Sequence, residues 1–338
     1  MEVIPAVVVA VQDSTHISEA RRAAQLLADR LGFNETRRTE AGIVATELAR
    51  NALVHGKRGQ VVLMPVCDES SPRLDIVAID RGPGITDLVQ ALEDGFSTST
   101  TPGTGLGAVK RMASHFQVFS LPSKLTAVMA RLGPQRDSDA REASGIGAVC
   151  VPIKGEKLCG DGWGYRRRAQ VDSFVVVDGL GHGPSAAEAA HEALRVFEAH
   201  PEMGPAELLD EMHHAMQKTR GAAIAVAEVD IGKGVLRFSG VGNIAAYILS
   251  PGQKARAMVS HNGTVGHVVS RIQEFTFPWK ANDLLVMHSD GISSHWDVDK
   301  FPGLLSREPA LIASIIHEQA VRGRDDATVL TARLRGAA

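Results

Sequence analysis

Aspartates at the ends of apolar runs are the first chemistry this sequence offers. Val175-Val176-Val177 runs into Asp178-Gly179-Leu180-Gly181-His182-Gly183. A carboxylate and a bare backbone carbonyl then stand side by side at a strand end, a seat for hard divalent cations. Ser289-Asp290-Gly291 follows Leu284-Leu285-Val286-Met287, and Asp325-Asp326-Ala327-Thr328 precedes Val329-Leu330. Asp161 lies upstream in Cys159-Gly160-Asp161-Gly162. No Cys/His ligand set accompanies these sites, so Mg²⁺ or Mn²⁺ suits them better than zinc. Taken singly, each acidic site is also an ordinary turn residue. Gathered at one end of a sandwich, they could share two metals about 3.5–4 Å apart and activate a bridging water against a phosphoester.

The N-terminal half carries a second constellation. Glu47, Asn51 and His55 recur at i, i+4 and i+8 and share one face of a helix. A carboxylate and an amide one turn apart could polarise a nucleophile and hold Mg²⁺ through the amide oxygen. The same stripe alone is equally a polar surface. Ile76-Val77-Ala78-Ile79-Asp80-Arg81-Gly82-Pro83-Gly84 ends a strand in an acidic residue and a tight turn, where a buried carboxylate could accept a hydrogen bond from an exocyclic amine such as adenine's. Thr98-Ser99-Thr100-Thr101-Pro102-Gly103-Thr104-Gly105-Leu106-Gly107 is a hydroxyl- and glycine-rich loop opening a helix, whose free amides bind phosphate. It lacks the Gly-Lys-Ser/Thr of a Walker loop and the feeding strand of a dinucleotide fingerprint.

Periodicity supplies elements to carry these residues. Helical spacing predicts helices over residues 18–31, 35–55 and 105–115, with Ala41, Val44, Leu48 and Ala52 turned to a sheet. Strands are expected at 7–11, 60–67, 73–79, 117–121 and 125–132, making a layered sandwich with a mixed sheet and helices on one face. The C-terminal half predicts helices at 184–200, 205–219 and 309–321. Its strands are expected near 148–151, 223–229, 235–239, 245–249, 274–277, 284–288 and 327–334. Between the halves, residues 133–145 are polar, charged and bracketed by glycine, which reads as a linker. The expected class is α+β, with domains at 1–132 and 146–338.

These motifs, in order, resemble two families. Thr46-Glu47-Leu48-Ala49-Arg50-Asn51-Ala52 is similar to the N box of the GHKL (Bergerat) ATP-binding family, Asp80-Arg81-Gly82-Pro83-Gly84 to its G1 box, and Gly103-Thr104-Gly105-Leu106-Gly107 to its G2 box. Glu93-Asp94-Gly95-Phe96-Ser97-Thr98-Ser99 adds likeness to its RsbT-type serine-kinase and anti-sigma-factor branch. The resemblance implies an ATP-binding α/β sandwich over residues 1–132. Glu47 would be the general base for a protein hydroxyl, Asn51 the Mg²⁺ ligand, and Asp80 the adenine reader. Gly82, Gly84, Thr98, Ser99, Gly103, Thr104, Gly105, Leu106 and Gly107 would complete the nucleotide site. Residues 146–335 resemble the type 2C metal-dependent protein phosphatases of the RsbX/SpoIIE type, an αββα sandwich. That implies two Mn²⁺ or Mg²⁺ held by Asp161, Asp178, the Gly179 carbonyl, Asp290 and Asp325, with Asp178 bridging and Asp326 behind. Gly160-Asp161-Gly162-Trp163 departs from the Gly-Asp-Phe-Tyr of larger members. Arg166, Arg167 and Arg168 are near enough in sequence to be considered for gripping phosphate.

Together the resemblances imply a bifunctional regulator. It would phosphorylate and dephosphorylate Ser/Thr on a STAS-domain partner of a partner-switching or stressosome system, with a sigma-factor-pathway protein or downstream phosphatase as further partners. The alternative is a phosphatase whose N-terminal domain binds a partner or senses nucleotide without turnover. Classical histidine kinases share the ATP fold but need a phospho-accepting hairpin upstream, which the early ATP domain leaves little room for. The rest of the composition is bland: 338 residues, 44% apolar, 22% charged, net charge −3. No basic tail points to nucleic acid, and no apolar run reaches bilayer length. Cys67, Cys150 and Cys159 show no paired spacing, so reduced thiols in a cytoplasm are expected. His213-His214 and the three tryptophans are expected to be structural.

Overall fold

Two polar caps set the first helices. Asp13 accepts a hydrogen bond from the Thr15 amide at 2.8 Å and opens α1 (Ser14–Arg30). Asn34 accepts from the Arg37 amide at 2.9 Å and opens α2 (Glu35–Val54). The first cap starts α1 four residues earlier than its apolar spacing indicates, because Ser14-Thr15-His16-Ile17 adds no apolar stripe of its own. The structure, a computed structural model, describes residues 4–57, 59–67, 72–85, 105–135 and 145–334. It divides into two units, one built from Ala6–Ala143 with Asp299–Ile315 and the other from Met1–Pro5, Ser144–Val298 and Ile316–Ala338.

The first unit carries β1 (Val7–Val11), β2 (Gly59–Val66), β3 (Arg73–Asp80), α3 (Gly105–Met112), β4 (His115–Leu121) and β5 (Leu125–Leu132). The sheet order is β1-β2-β3-β5-β4. Every pairing among these described strands is antiparallel, where a mixed sheet is expected from the sequence. The reason is connectivity: β2–β3 and β4–β5 are hairpins, and β3 meets β5 rather than β4. Ala20, Ala24, Leu27 and Ala28 of α1 are buried, as are Ala41, Val44, Leu48 and Ala52 of α2. Small side chains on both helices let them pack closely. Within the sheet, Asp75 accepts two bonds from the Arg131 guanidinium at 2.6 and 3.0 Å, with Arg73 at 3.5 Å. Burial opposes the Asp75 charge, but the two guanidinium groups outweigh it and hold its carboxyl below the usual range.

The second unit contains β6 (Ile146–Val151), β7 (Asp161–Arg168), β8 (Val171–Gly179), α4 (Pro184–Ala199), α5 (Pro205–Ala215), β9 (Ala222–Asp230), β10 (Val235–Val241), β11 (Ala245–Leu249), β12 (Arg256–Met258), β13 (Gly263–Thr264), β14 (Val268–Val269), β15 (Phe275–Pro278), β16 (Leu284–His288) and β17 (Ala327–Ala332). Helix α6 (Pro309–Ala320) begins in the first unit and ends in the second. Two five-stranded sheets run β15-β10-β9-β8-β7 and β12-β11-β16-β17-β6. Helices α4 and α5 bury Ala190, Leu194, Phe197, Leu208 and Met212 against Val175, Val177, Ile224 and Val226 of the first of these sheets. Strand β7 is absent from the periodicity reading, since Asp-Gly-Trp-Gly-Tyr-Arg-Arg-Arg has no apolar alternation. It forms because all eight of its residues pair in register with β8. Residues 136–144, the bulk of the expected linker, lie outside the described residues.

Candidate functional site

Strand register brings the distant aspartates of the C-terminal half together. Asp161 at the start of β7 is paired with Asp178 near the end of β8. The β16–β17 pairing sets His288 opposite Val329, so Asp290 just after β16 and Asp325 just before β17 come to the same end. Ser289 ties the two sheets: its hydroxyl donates to Asp161 Oδ2 at 2.7 Å and accepts from the Thr328 amide at 2.9 Å. Gly179 must be glycine, because a Cβ there would lie 2.3 Å from the Ala186 carbonyl oxygen of α4. Its amide donates to the Gly160 carbonyl at 3.0 Å, which fixes the two loops against each other. Asp326 clamps the same region, accepting from the Ile153 and Gly160 amides at 2.7 Å each.

Burial and mutual repulsion oppose the charges of this cluster. Burial, then Asp290 and Asp325, push the Asp178 carboxyl up to about 7. Burial and neighbouring Asp178 raise Asp161 well above the carboxylate range. Burial also raises Asp326, against its two amide donors. Close like charges relieved only by protonation or a cation are what an oxygen-ligand divalent site presents. The donor set, carboxylates plus the Gly179 carbonyl, fits Mg²⁺ or Mn²⁺. Among the described residues no three His, Cys, Asp or Glu side chains already converge as a metal cage. Hydrogen bonds hold two of the carboxylates instead: Asn243 donates to Asp290 at 2.7 Å, as Ser289 does to Asp161.

The arginines considered for phosphate lie elsewhere. Arg166 stacks on the Phe197 ring at 4.2 Å and donates to the Phe197 carbonyl. Arg167 is bound to Asp172 at 2.8 and 3.2 Å. Five to seven residues along β7 from Asp161, at about 3.3 Å per residue, they sit roughly 16–23 Å from the cluster. Arg220 is nearer. It is exposed, and its Nη1 lies 3.1 Å from where a Cβ on Gly181 would be. The adjacent Gly221 carbonyl accepts from the Leu180 amide at 3.0 Å. His182 pairs with Glu156 at 3.1 Å. Trp163 and Trp279 are buried, and Trp296 packs edge-on to Tyr247.

The N-terminal motifs also meet. Asp80 ends β3 against the C-terminal end of α2: a Cβ on Gly56 would lie 2.5 Å from Asp80 Cβ, and one on Gly82 2.4 Å from the His55 carbonyl. Asp80 accepts from the Gly82 amide at 2.8 Å, and burial raises its carboxyl. Gly84 takes φ +93°, open to glycine, and Ser123 donates from its amide to the Pro83 carbonyl at 3.0 Å. Glu47 is 8% exposed and accepts from Arg50 at 2.9 Å. Asn51 is half-buried one turn on. Gly105, Leu106 and Gly107 open α3, which packs on α2. Thr98, Ser99, Gly103 and Thr104 lie outside the described residues.

Comparison with known proteins follows the same division. The family model "Histidine kinase-like ATPase domain" matches residues 10–131. The serine/threonine-protein kinase RsbT of Bacillus subtilis (strain 168) is 37% identical over 114 residues, covering 34% of this chain and 86% of RsbT. The chain belongs to the RsbT family. Its N-terminal unit carries that membership. The model "Stage II sporulation protein E (SpoIIE)" matches residues 173–335. A solved structure reported as "The bacterial stressosome: a modular system that has been adapted to control secondary messenger signaling" superposes with TM-score 0.52 at 29% identity, over 56% of this chain and 98% of its own. The PP2C phosphatase domain with a fragment of the regulatory domain of SpoIIE from Bacillus subtilis gives TM-score 0.51 at 18% identity, over 97% of this chain and 100% of that one, a likeness of fold. This RsbT-family chain therefore joins a kinase-type ATP-binding domain to a SpoIIE-type phosphatase domain.

The resemblance already sets Asp326 behind the aspartates, but motif reading gives no role to three residues: Ser289 and Asn243, which donate to Asp161 and Asp290, and Arg220, which lies beside Gly181. Ser289 adjoins the motif residue Asp290, which is the signal that could have found it. Nothing local marks Arg220.

Proposed function

We propose that this chain sets the phosphorylation state of a serine or threonine on a STAS-domain partner, adding phosphate with its N-terminal domain (1–132) and removing it with its C-terminal domain (146–338). The observation that carries this reading is an RsbT-related unit sharing one chain with a phosphatase fold whose aspartates crowd one strand end. In the kinase half, Glu47 would take the hydroxyl proton, Asn51 would hold Mg²⁺ when ATP is bound, and Asp80 would accept from the adenine amine. Gly82 and Gly84 shape the turn beside the base. Gly105, Leu106 and Gly107 at the start of α3, with Thr98, Ser99, Gly103 and Thr104, would bind the phosphates. In the phosphatase half, Asp161, Asp178, Asp290, Asp325 and the Gly179 carbonyl would hold two Mn²⁺ or Mg²⁺. When bound, the metals supply an activated water and neutralise phosphoryl charge. Ser289 would orient Asp161 directly and Asp326 would do so through the Gly160 turn, while Arg220, beside Gly181, is the candidate for gripping phosphate.

One contact favours a second reading. Arg50 occupies a carboxylate oxygen of Glu47, so the N-terminal domain could bind nucleotide and partner without turnover. A thiophosphate-transfer assay with a STAS-domain protein and ATPγS separates the two. Transfer by the wild type, reduced ~10²–10⁴-fold in Glu47→Gln with ATP binding intact, supports the base role. Equal transfer by both proteins sinks it, and no transfer by either selects the binding module.

A further inference from the structure

Cys150 and Cys159 bring their sulfurs to 3.6 Å of each other. Cys150 lies on β6 at 1% exposure, and Cys159, at 9%, immediately precedes Gly160 and Asp161. The Cys150 thiol also approaches the Asp161 carbonyl at 3.7 Å. Between the two cysteines runs a segment that the acidic cluster holds directly: Asp326 accepts from Ile153 within it and from Gly160 at its end, and Gly160 in turn accepts from the Gly179 amide. A change in the thiols is therefore a change in the loop that presents Asp161 and abuts Gly179.

We propose that Cys150 and Cys159 are a reversible dithiol–disulfide pair whose oxidation weakens divalent-cation binding at the aspartate cluster. The inference rests on reading that cluster as the metal site. The oxidant is of the hydroperoxide class. The less buried Cys159 attacks the peroxide, forming a sulfenic acid and releasing one water. The Cys150 sulfur then displaces the second water from it, forming the S–S bond. Two thiols lose two electrons and two protons, and one hydrogen peroxide becomes two waters. A dithiol reductant reverses the step. The sulfur–sulfur hydrogen bond with Cys150, then burial, push the Cys159 thiol up, which makes the attack slow and leaves the equilibrium to geometry. A disulfide needs its sulfurs at about 2.05 Å, so they must close by roughly 1.5 Å. Cys150 is fixed by the pairing of β6 with β17. The movement thus falls on Cys159 and the Gly160–Asp161 turn.

The test uses the full chain, treated with hydrogen peroxide, desalted and compared with the dithiothreitol-reduced protein. Intact mass and peptide mapping should show loss of two hydrogens and a Cys150–Cys159 linked peptide, with Cys67 still alkylatable. Calorimetric Mn²⁺ titration should show ~10–100-fold weaker binding in the linked form, the range seen when groups supporting metal ligands are lost. Dithiothreitol should restore it. Cys159→Ala should bind Mn²⁺ like the reduced protein before and after peroxide. Failure of the linked peptide to form, or linked protein that binds Mn²⁺ as tightly as reduced protein, overturns the proposal. If the reduced protein itself binds no Mn²⁺, the metal-site reading fails and the proposal falls with it.

Discussion

At the scale of single residues, Asp178 concentrates the electrostatics of the phosphatase half. Its carboxyl is pushed up to about 7 by burial and by Asp290 and Asp325, against about 3.9 in an unfolded chain. The folded state therefore binds more protons between these values. The stability this group contributes is fully present below the unfolded pKa and is lost as pH rises through about 7. Metal-free protein should melt at lower temperature at pH 8 than at pH 5, and Asp178→Asn should flatten that slope. A slope unchanged in Asp178→Asn would place the pH dependence on another group. The same substitution should abolish phosphoprotein hydrolysis, which in the wild type should vanish in EDTA and return with Mn²⁺. Hydrolysis surviving exhaustive chelation would rule out a metal-assisted route.

At the scale of elements, two contacts decide how the sites are held. Gly179 joins β8 to the start of α4, and an alanine Cβ would meet the Ala186 carbonyl oxygen at 2.3 Å. Backbone on both sides resists, so β8 must shift and carry Asp178 with it. Gly179→Ala should weaken Mn²⁺ binding ~10–100-fold, measured by calorimetry, and unaltered affinity would show that the loop yields freely. In the N-terminal sheet, β3 and β5 are pinned by the buried Asp75–Arg131 pair. Asp75→Asn leaves two buried guanidinium groups without their carboxylate. Urea unfolding should show a loss of ~3–5 kcal/mol, the cost of breaking a buried pair from one side. A loss under 1 kcal/mol would mean that water or Glu308, 3.6 Å from Arg131, takes over.

At the scale of the whole molecule, fusion would fix the dose of the two proposed activities at one to one. Joining both domains in one chain would also raise the concentration of one domain's product near the other. If both domains act on the same serine, protein, ATP and STAS-domain target should settle at partial phosphorylation with continuing ATP consumption. Asp290→Asn should let phosphotarget accumulate, and Glu47→Gln should leave the target unphosphorylated. Intact mass of the target in the three mixtures reads this out. Asp290→Asn giving no more phosphotarget than wild type would mean that the domains serve different substrates.

Sequence alone determined what is local. Apolar runs ending at Asp80, Asp178 and Asp290 showed where strands stop, and the helix carrying Glu47 and Asn51 followed from 3.6-residue spacing. Ordered motifs were enough to resemble both families. What the sequence could not reach was decided by pairing between distant segments. Strand β7 has no pattern of its own and exists because β8 accepts it in register. The N-terminal sheet is antiparallel because β3 pairs with β5. Arg166 and Arg167, close to Asp161 in number, are carried away by the length of an extended strand, while Arg220 arrives beside Gly181 from 39 positions away. Cys150 and Cys159 meet through the β6–β17 edge and the turn before β7, not through any spacing motif. The physical reason is common to all of these. Periodicity records which face a residue turns to the core, but which strand lies next to it depends on long-range register, and a single chain read in order does not contain that.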